Sequence, residues 1–146
     1  MHVLVCGGAG YIGSHMAKWL AARGTEVTVL DNLATGHREA VRWGRLVDAD
    51  LLVPGSLEPA FAGRRVDAVM HFCARSLVGE SMAQPYAYYA NNVTGTLNLL
   101  QAMRRHGVER LVFSSTEAVF GQPQSAAIDE AHPKAPINPY GASKLM

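Results

Sequence analysis

Long apolar runs are missing from this chain. No stretch of its 146 residues approaches the roughly 20 apolar residues that a membrane-spanning helix needs, so no membrane role is expected. Charge of one sign is scarce too. Lys and Arg number 13 against 12 Asp and Glu, a formal net charge of +1. The basic groups Arg64-Arg65 and Arg104-Arg105-His106 are short and read as solvated turns or helix ends, so no nucleic-acid partner is expected. Cysteine occurs only as Cys6 and Cys73, each alone at the end of a predicted strand. Buried, reduced thiols are the reading, and a cytoplasmic location fits them. The six histidines show no ligand spacing, so no metal site is expected. Repeats, low-complexity segments and linkers are absent, and no signal peptide is expected because an apolar strand begins almost at Met1. Charged residues make up 17% of the chain and hydrophobic ones 49%, a composition that builds a core and excludes disorder.

What is present is concentrated at the start. Val3-Leu4-Val5-Cys6 reads as a buried parallel strand, and Gly7, Gly10 and Gly13 follow at three-residue spacing. A helix is predicted from about Tyr11 to Arg23, stopped by Gly24. A strand, a glycine turn and a helix form the anion cradle of a dinucleotide site. The first glycine permits the turn, the second admits a pyrophosphate, the third lets helix and strand approach, and the helix N-terminus offers its N–H groups. Gly8, Gly10 and Gly13 also fit the commoner spacing, so the pattern leaves the subclass open. Strand two, Glu26 to Asp31, ends in an acid 18 positions beyond Gly13. A carboxylate there accepts from ribose hydroxyls and repels a 2′-phosphate, which favours NAD over NADP. A solvated strand-end aspartate or a helix cap is the alternative.

Apolar strands alternate with helical patterns along the rest, which argues an α/β fold with a doubly wound parallel sheet. A loop with a short helical turn spans Asn32 to Arg42, and Arg45–Asp48 is a weak third strand. Ser56 is expected to cap a short helix through Phe61. Ala68 to Phe72 is strand four, and Gln84 to His106 is the longest helical pattern, with Val93, Leu97, Leu100 and Met103 facing a core. Gly107 ends it, and Arg110 to Ser115 is strand five. Gly121 to Pro139 reads as a long irregular loop.

A second site signal closes the chain. Ser114-Ser115-Thr116 stands at the carboxyl end of strand five, where open α/β sheets bind ligands. Tyr140-Gly141-Ala142-Ser143-Lys144 opens a helix after Pro139, with Tyr140 and Lys144 four apart on one face. An ammonium near a phenol stabilises phenolate, and the Thr116 hydroxyl completes a proton-transfer unit. A surface pair is the alternative for a bare Tyr-x-x-x-Lys.

Five blocks together resemble the extended short-chain dehydrogenases/reductases, most of all their UDP-hexose 4-epimerase branch. They are Gly7 to His15, Leu30-Asp31-Asn32-Leu33, Val78-Gly79-Glu80-Ser81, Asn91 to Thr96, and Asn138 to Met146. The resemblance implies an NAD(P)-binding Rossmann fold and NAD-dependent epimerisation at C4 of a UDP-hexose through a transient 4-keto sugar. Another nucleotide-sugar-modifying activity, or a non-catalytic NAD-binding role, stays open. It implies Tyr140 as the proton carrier, Thr116 as the hydrogen-bonding hydroxyl, and Lys144 as a nicotinamide-ribose ligand. It implies cofactor contacts from Tyr11 and Ile12 to the pyrophosphate and from Asp31, Asn32, Leu33, Ala34, Thr35 and Gly36 around the adenosine ribose. Asp50 and Leu51 would flank adenine. Phe72, Cys73, Ala74, Arg75 and Ser76 would line the middle of the cofactor, with Asn91 in support.

Three departures qualify the resemblance. Some epimerases carry a lysine where Ser76 stands. In related dehydratases an acid pair follows the threonine, whereas Glu117-Ala118 follows Thr116, which argues against dehydration; Glu117 reads as a solvated carboxylate. Family members also run on well past Tyr-x-x-x-Lys. Residues 1–146 are therefore expected to be an incomplete NAD-binding domain without the last strands or the carboxyl-terminal UDP-sugar region. In isolation such a chain is expected to be poorly soluble and inactive. A homodimer is one assembly open to its full-length parent.

Overall fold

The computed structural model describes every residue from Met1 to Met146. The chain divides into two compact units, one made of Met1–Cys73 with Gly95–Ser114 and the other of Ala74–Thr94 with Ser115–Met146.

The first unit is built on five parallel strands: β1 (His2–Cys6), β2 (Glu26–Asp31), β3 (Arg45–Asp48), β4 (Ala68–His71) and β5 (Leu111–Phe113). Their order is β3-β2-β1-β4-β5, with β1 at the centre and the order reversing beside it. A parallel strand buried on both faces reads as a continuous apolar run, and all five residues of β1 are buried. Alternate side chains then serve opposite layers. Leu4 and Cys6 join Leu30, Val69, Leu57 and Leu99 in one cluster. Val3 and Val5 join Val27, Val29, Ala17 and Leu20 in the other. Helix α1 (Tyr11–Ala21) supplies Ala17 and Leu20; helices α2 (Glu58–Phe61) and α5 (Gly95–Arg105) serve the opposite layer. This is the doubly wound sheet that the alternating pattern predicts.

Three local expectations are corrected. Ser56 caps no helix; its hydroxyl accepts from Asp50 N–H at 3.1 Å and faces the carbonyls of Asp50 and Val53, folding the 50–56 turn on itself. Cys6 is fully buried, but Cys73 is only partly so. Burial, and after it the Asp31 carboxylate, push the Cys6 thiol far above its ordinary range, so it stays protonated. The predicted helix from Gln84 to His106 is three pieces: α4 (Pro85–Tyr88), a π turn (Tyr89–Thr94) and α5. A π turn takes in an extra residue and breaks the 3.6-residue period. Within α5 the buried positions are Gly95, Leu99, Ala102 and Met103, while Leu97 and Leu100 are exposed at 54% and 40%.

The second unit holds α3 (Val78–Ala83), α4, the π turn, a 3-10 turn (Glu117–Val119) and α6 (Pro139–Leu145). The segment 121–138 between them has no regular structure, as its proline content predicts. No helix of the chain is long and apolar enough to cross a membrane.

Candidate functional site

In the first unit the glycine turn is sterically determined from two sides. Gly7 has φ +81°, and a Cβ there would sit 2.8 Å from the Phe72 carbonyl carbon and the Cys73 nitrogen. Only glycine fits both conditions. A Cβ on Gly13 would fall onto the Gly7 carbonyl. Gly10 differs: the only atom a Cβ would approach is the Gly7 oxygen, at 3.4 Å. The protein itself leaves room there.

Helix α1 opens at Gly10 with no side-chain cap and no acid in its first turn. Ser14 N–H is the first to find an intrahelical acceptor, the Gly10 carbonyl at 3.0 Å. The N–H groups of Tyr11 and Ile12 precede it in an exposed first turn and have none. Their free hydrogens and the helix dipole suit an anion.

Asp31 joins this cradle to the next loop. Its Oδ2 accepts from Ala9 N–H at 3.0 Å and its Oδ1 from Leu33 N–H at 2.9 Å, with the side chain buried. Leu33 is the one non-glycine residue at positive φ, +56°, and the Asp31 bond holds it there. Asn32 accepts from Ala34 N–H and donates to Asp50 Oδ2 at 3.0 Å. Gly36 and His37 close on Ala9, whose carbonyl accepts from His37 N–H at 3.0 Å. Asp31, Asn32, Ala34, Gly36 and Asp50 therefore share one rim. Leu51 does not offer its side chain to it: that side chain is in the core, and its carbonyl accepts from Asn98 at 2.8 Å. Phe72 and Cys73 back the Gly7 turn.

In the second unit, Asn138-Pro139 starts α6 by two familiar devices. Asn138 Oδ1 accepts from Gly141 N–H at 2.7 Å, and Pro139 occupies the first turn. That places Tyr140 half-buried and Lys144 buried. The Tyr140 ring meets the edge of Tyr88, centroids 6.3 Å apart. Tyr88 is fully buried, and its hydroxyl proton faces Leu77 O and Glu80 Oε2, both at 2.7 Å. Burial pushes the Tyr88 phenol up, and Glu80 adds to the shift, so Tyr88 remains a donor. Glu80 in turn pairs with Arg75 at 3.1 Å.

Thr116 caps the 3-10 turn by accepting from Ala118 N–H at 3.2 Å, and its hydroxyl donates to Glu117 Oε2 at 3.1 Å. Glu117 is exposed but is not merely a solvated carboxylate. The turn that Thr116 begins lies against the first turn of α6: a Cβ on Gly141 would fall onto the Ala118 carbonyl. Gly141→Ala should therefore destabilise the protein by about 1–3 kcal/mol through overpacking, where glycine-to-alanine in an open helix gains up to about 1 kcal/mol. Urea unfolding measures the sign, and an unchanged or raised midpoint would show that the close approach is not real.

Ser76 is exposed, and Arg75 is fixed through its backbone: Asn92 accepts Arg75 N–H at 2.9 Å and donates to Arg75 O at 3.0 Å. Sequence reasoning singled out Asn91, yet the buried member of that pair is Asn92. It also missed Tyr88, Glu80 and Ser143. The available signal was polarity: two asparagines in succession inside a helical stretch have no place on an apolar face.

Residues 3–146 match the model of the NAD dependent epimerase/dehydratase family. The chain belongs to that family. It is 49% identical over 145 residues to the UDP-glucose 4-epimerase of Rhizobium meliloti (strain 1021), covering 99% of this chain and 44% of that protein. Among solved structures it is similar to the UDP-glucose 4-epimerase from Brucella ovis in complex with NAD, with TM-score 0.95, 48% identity and coverage of 99% of this chain and 44% of that one. The Thermotoga maritima UDP-glucose 4-epimerase, solved with UDP-glucose, matches with TM-score 0.92 and 33% identity over 99% of this chain and 48% of its own. The chain spans less than half the length of the relatives it matches. The parallel sheet predicted from the sequence is the fold of these family members, as far as the matched part extends.

Proposed function

We propose that the whole protein carrying this chain is an NAD-dependent epimerase that inverts C4 of a UDP-hexose through a 4-keto sugar. The observation that carries the reading is the cradle. It has an uncapped helix N-terminus, a glycine with space that no protein atom needs, and a rim carboxylate whose two oxygens each retain a lone pair. Those features fit a dinucleotide. The N–H groups of Tyr11 and Ile12 would hold its pyrophosphate, and Asp31 would accept from the adenosine ribose hydroxyls. Bound NAD would supply the acceptor, and then the donor, of the C4 hydride.

The chain's own groups would do the rest. Tyr140 Oη would take the C4 hydroxyl proton as the ketone forms and return it when the alcohol is restored. Thr116 Oγ1 would hydrogen-bond the same sugar oxygen, and Lys144 would hold the nicotinamide ribose. The 49% identity to a UDP-glucose 4-epimerase supports this choice of chemistry over other nucleotide-sugar reactions.

The test is made on the whole protein. It should convert UDP-galactose to UDP-glucose with no nicotinamide nucleotide added, and denaturation should release NAD, not NADP. Absence of turnover would overturn the epimerase assignment; NADP bound as tightly as NAD would overturn the role of Asp31.

A further inference from the structure

Ser143 stands between Tyr140 and Lys144 in sequence and joins two buried parts of the second unit. Its Oγ donates to the Tyr140 carbonyl at 2.8 Å and accepts from Asn92 Nδ2 at 2.9 Å. Both Ser143 and Asn92 are 3% exposed. The directions of these bonds are unambiguous. The Tyr140 carbonyl only accepts, so the hydroxyl's one proton goes there, and Asn92 must donate to the oxygen. The Asn92 amide is oriented independently: its Oδ1 faces Arg75 N–H at 2.9 Å and its Nδ2 faces Arg75 O at 3.0 Å. Asn92 itself lies in the π turn Tyr89–Thr94, a distortion that recurs at functional sites.

We propose that Ser143 is a positioning residue for Tyr140: its hydroxyl, held by Asn92, clamps the backbone of the first turn of α6. The proposal rests on reading Tyr140 as the proton carrier. Tyr140 lies in the first turn of helix α6. Asn138 and Pro139 secure where it begins. Beside the close approach of Ala118 to Gly141 and the Tyr88 ring edge, the Asn92–Ser143–Tyr140 bonds tie the first turn by its backbone to the π turn. A side chain in the i→i−3 back-bonding geometry usually loosens a helix slightly. Here it also carries the tertiary anchor, so the arrangement fixes the Tyr140 backbone from which the phenol extends.

The experiment compares Ser143→Ala, Ser143→Thr and Tyr140→Phe in the whole protein, with UDP-galactose as substrate. Ser143→Ala removes both bonds and leaves an Asn92 N–H buried without its acceptor, so kcat should fall about 10-fold or more. KM and NAD content should stay at the wild-type values. Ser143→Thr keeps the hydroxyl and should restore most of kcat. Adding Ser143→Ala to Asn92→Ala should cost little beyond Asn92→Ala alone, because both break the same link. Wild-type kcat in Ser143→Ala, alongside a crippled Tyr140→Phe, would overturn the positioning role alone. Wild-type kcat in Tyr140→Phe would overturn the reading of Tyr140 on which it rests. If Ser143→Ala loses NAD and thermal stability together and threonine does not rescue it, Ser143 is a general packing residue and the proposal fails.

Discussion

Replacing Tyr140 by phenylalanine in the whole protein should lower kcat for UDP-galactose by about 10²- to 10⁴-fold, the span commonly supplied by general acid–base catalysis. The phenol oxygen is the only atom removed. What seats the residue remains: the Asn138 cap, Pro139 at the helix start, the Ser143 bond to the Tyr140 carbonyl, and the edge of the Tyr88 ring. NAD content and melting temperature should therefore match the wild type. That separation makes the result interpretable. A kcat loss accompanied by a falling melting temperature would report damage to α6, and an undiminished kcat would make Tyr140 a structural helix-start residue.

The second large effect is expected at the glycine turn, where two glycines should both lose NAD but differ in stability. Gly13→Ala should abolish NAD retention and destabilise the protein by about 1–3 kcal/mol, because the added methyl falls onto the Gly7 carbonyl and must push α1 off the turn. Gly10→Ala should also lose NAD but leave unfolding nearly unchanged. Its methyl meets only the Gly7 oxygen, at 3.4 Å, and otherwise projects into the space left for the ligand. Bound nucleotide per protein and urea midpoints, measured on both variants, test the pair. Full NAD retention in Gly10→Ala would mean that the open space is not the pyrophosphate site. An unshifted midpoint in Gly13→Ala would mean that the turn is looser than its geometry indicates.

Legibility followed the physics of each segment. The first strand, the glycine turn and the end of β2 were readable because burial on both faces, positive φ and absent Cβ space each demand particular residues over a few positions. Asn138-Pro139 announced α6 for the same local reason. Helix α3 was not readable: six residues containing Gly79 and Ser81 give neither helix propensity nor a full apolar period. The stripe through Leu97 and Leu100 misled because large side chains were favoured. The face that packs is built on Gly95, Leu99, Ala102 and Met103, with small residues where the helix comes close. The π turn inserts its extra residue without any compositional mark. In the candidate site, the residue types of the cradle and of Tyr140 and Lys144 were visible. The network behind them was not, because folding brings Asn92 to Arg75 across 17 positions of sequence and to Ser143 across 51.

Asp31 carries a consequence for redesign. A protein engineer wishing to convert this cradle to NADP would begin by replacing the rim carboxylate with a small or basic residue. Here the same carboxylate receives Ala9 N–H from the glycine turn and Leu33 N–H from a residue at φ +56°. Removing it strips both backbone groups of their buried acceptor and frees Leu33 from its unfavourable conformation. If Asp31 reads the ribose as proposed, cofactor preference and the shape of the cradle rest on one side chain. A single substitution cannot change the first without undoing the second, so an exchange of cofactor would require the turn and the 32–36 loop to be rebuilt together.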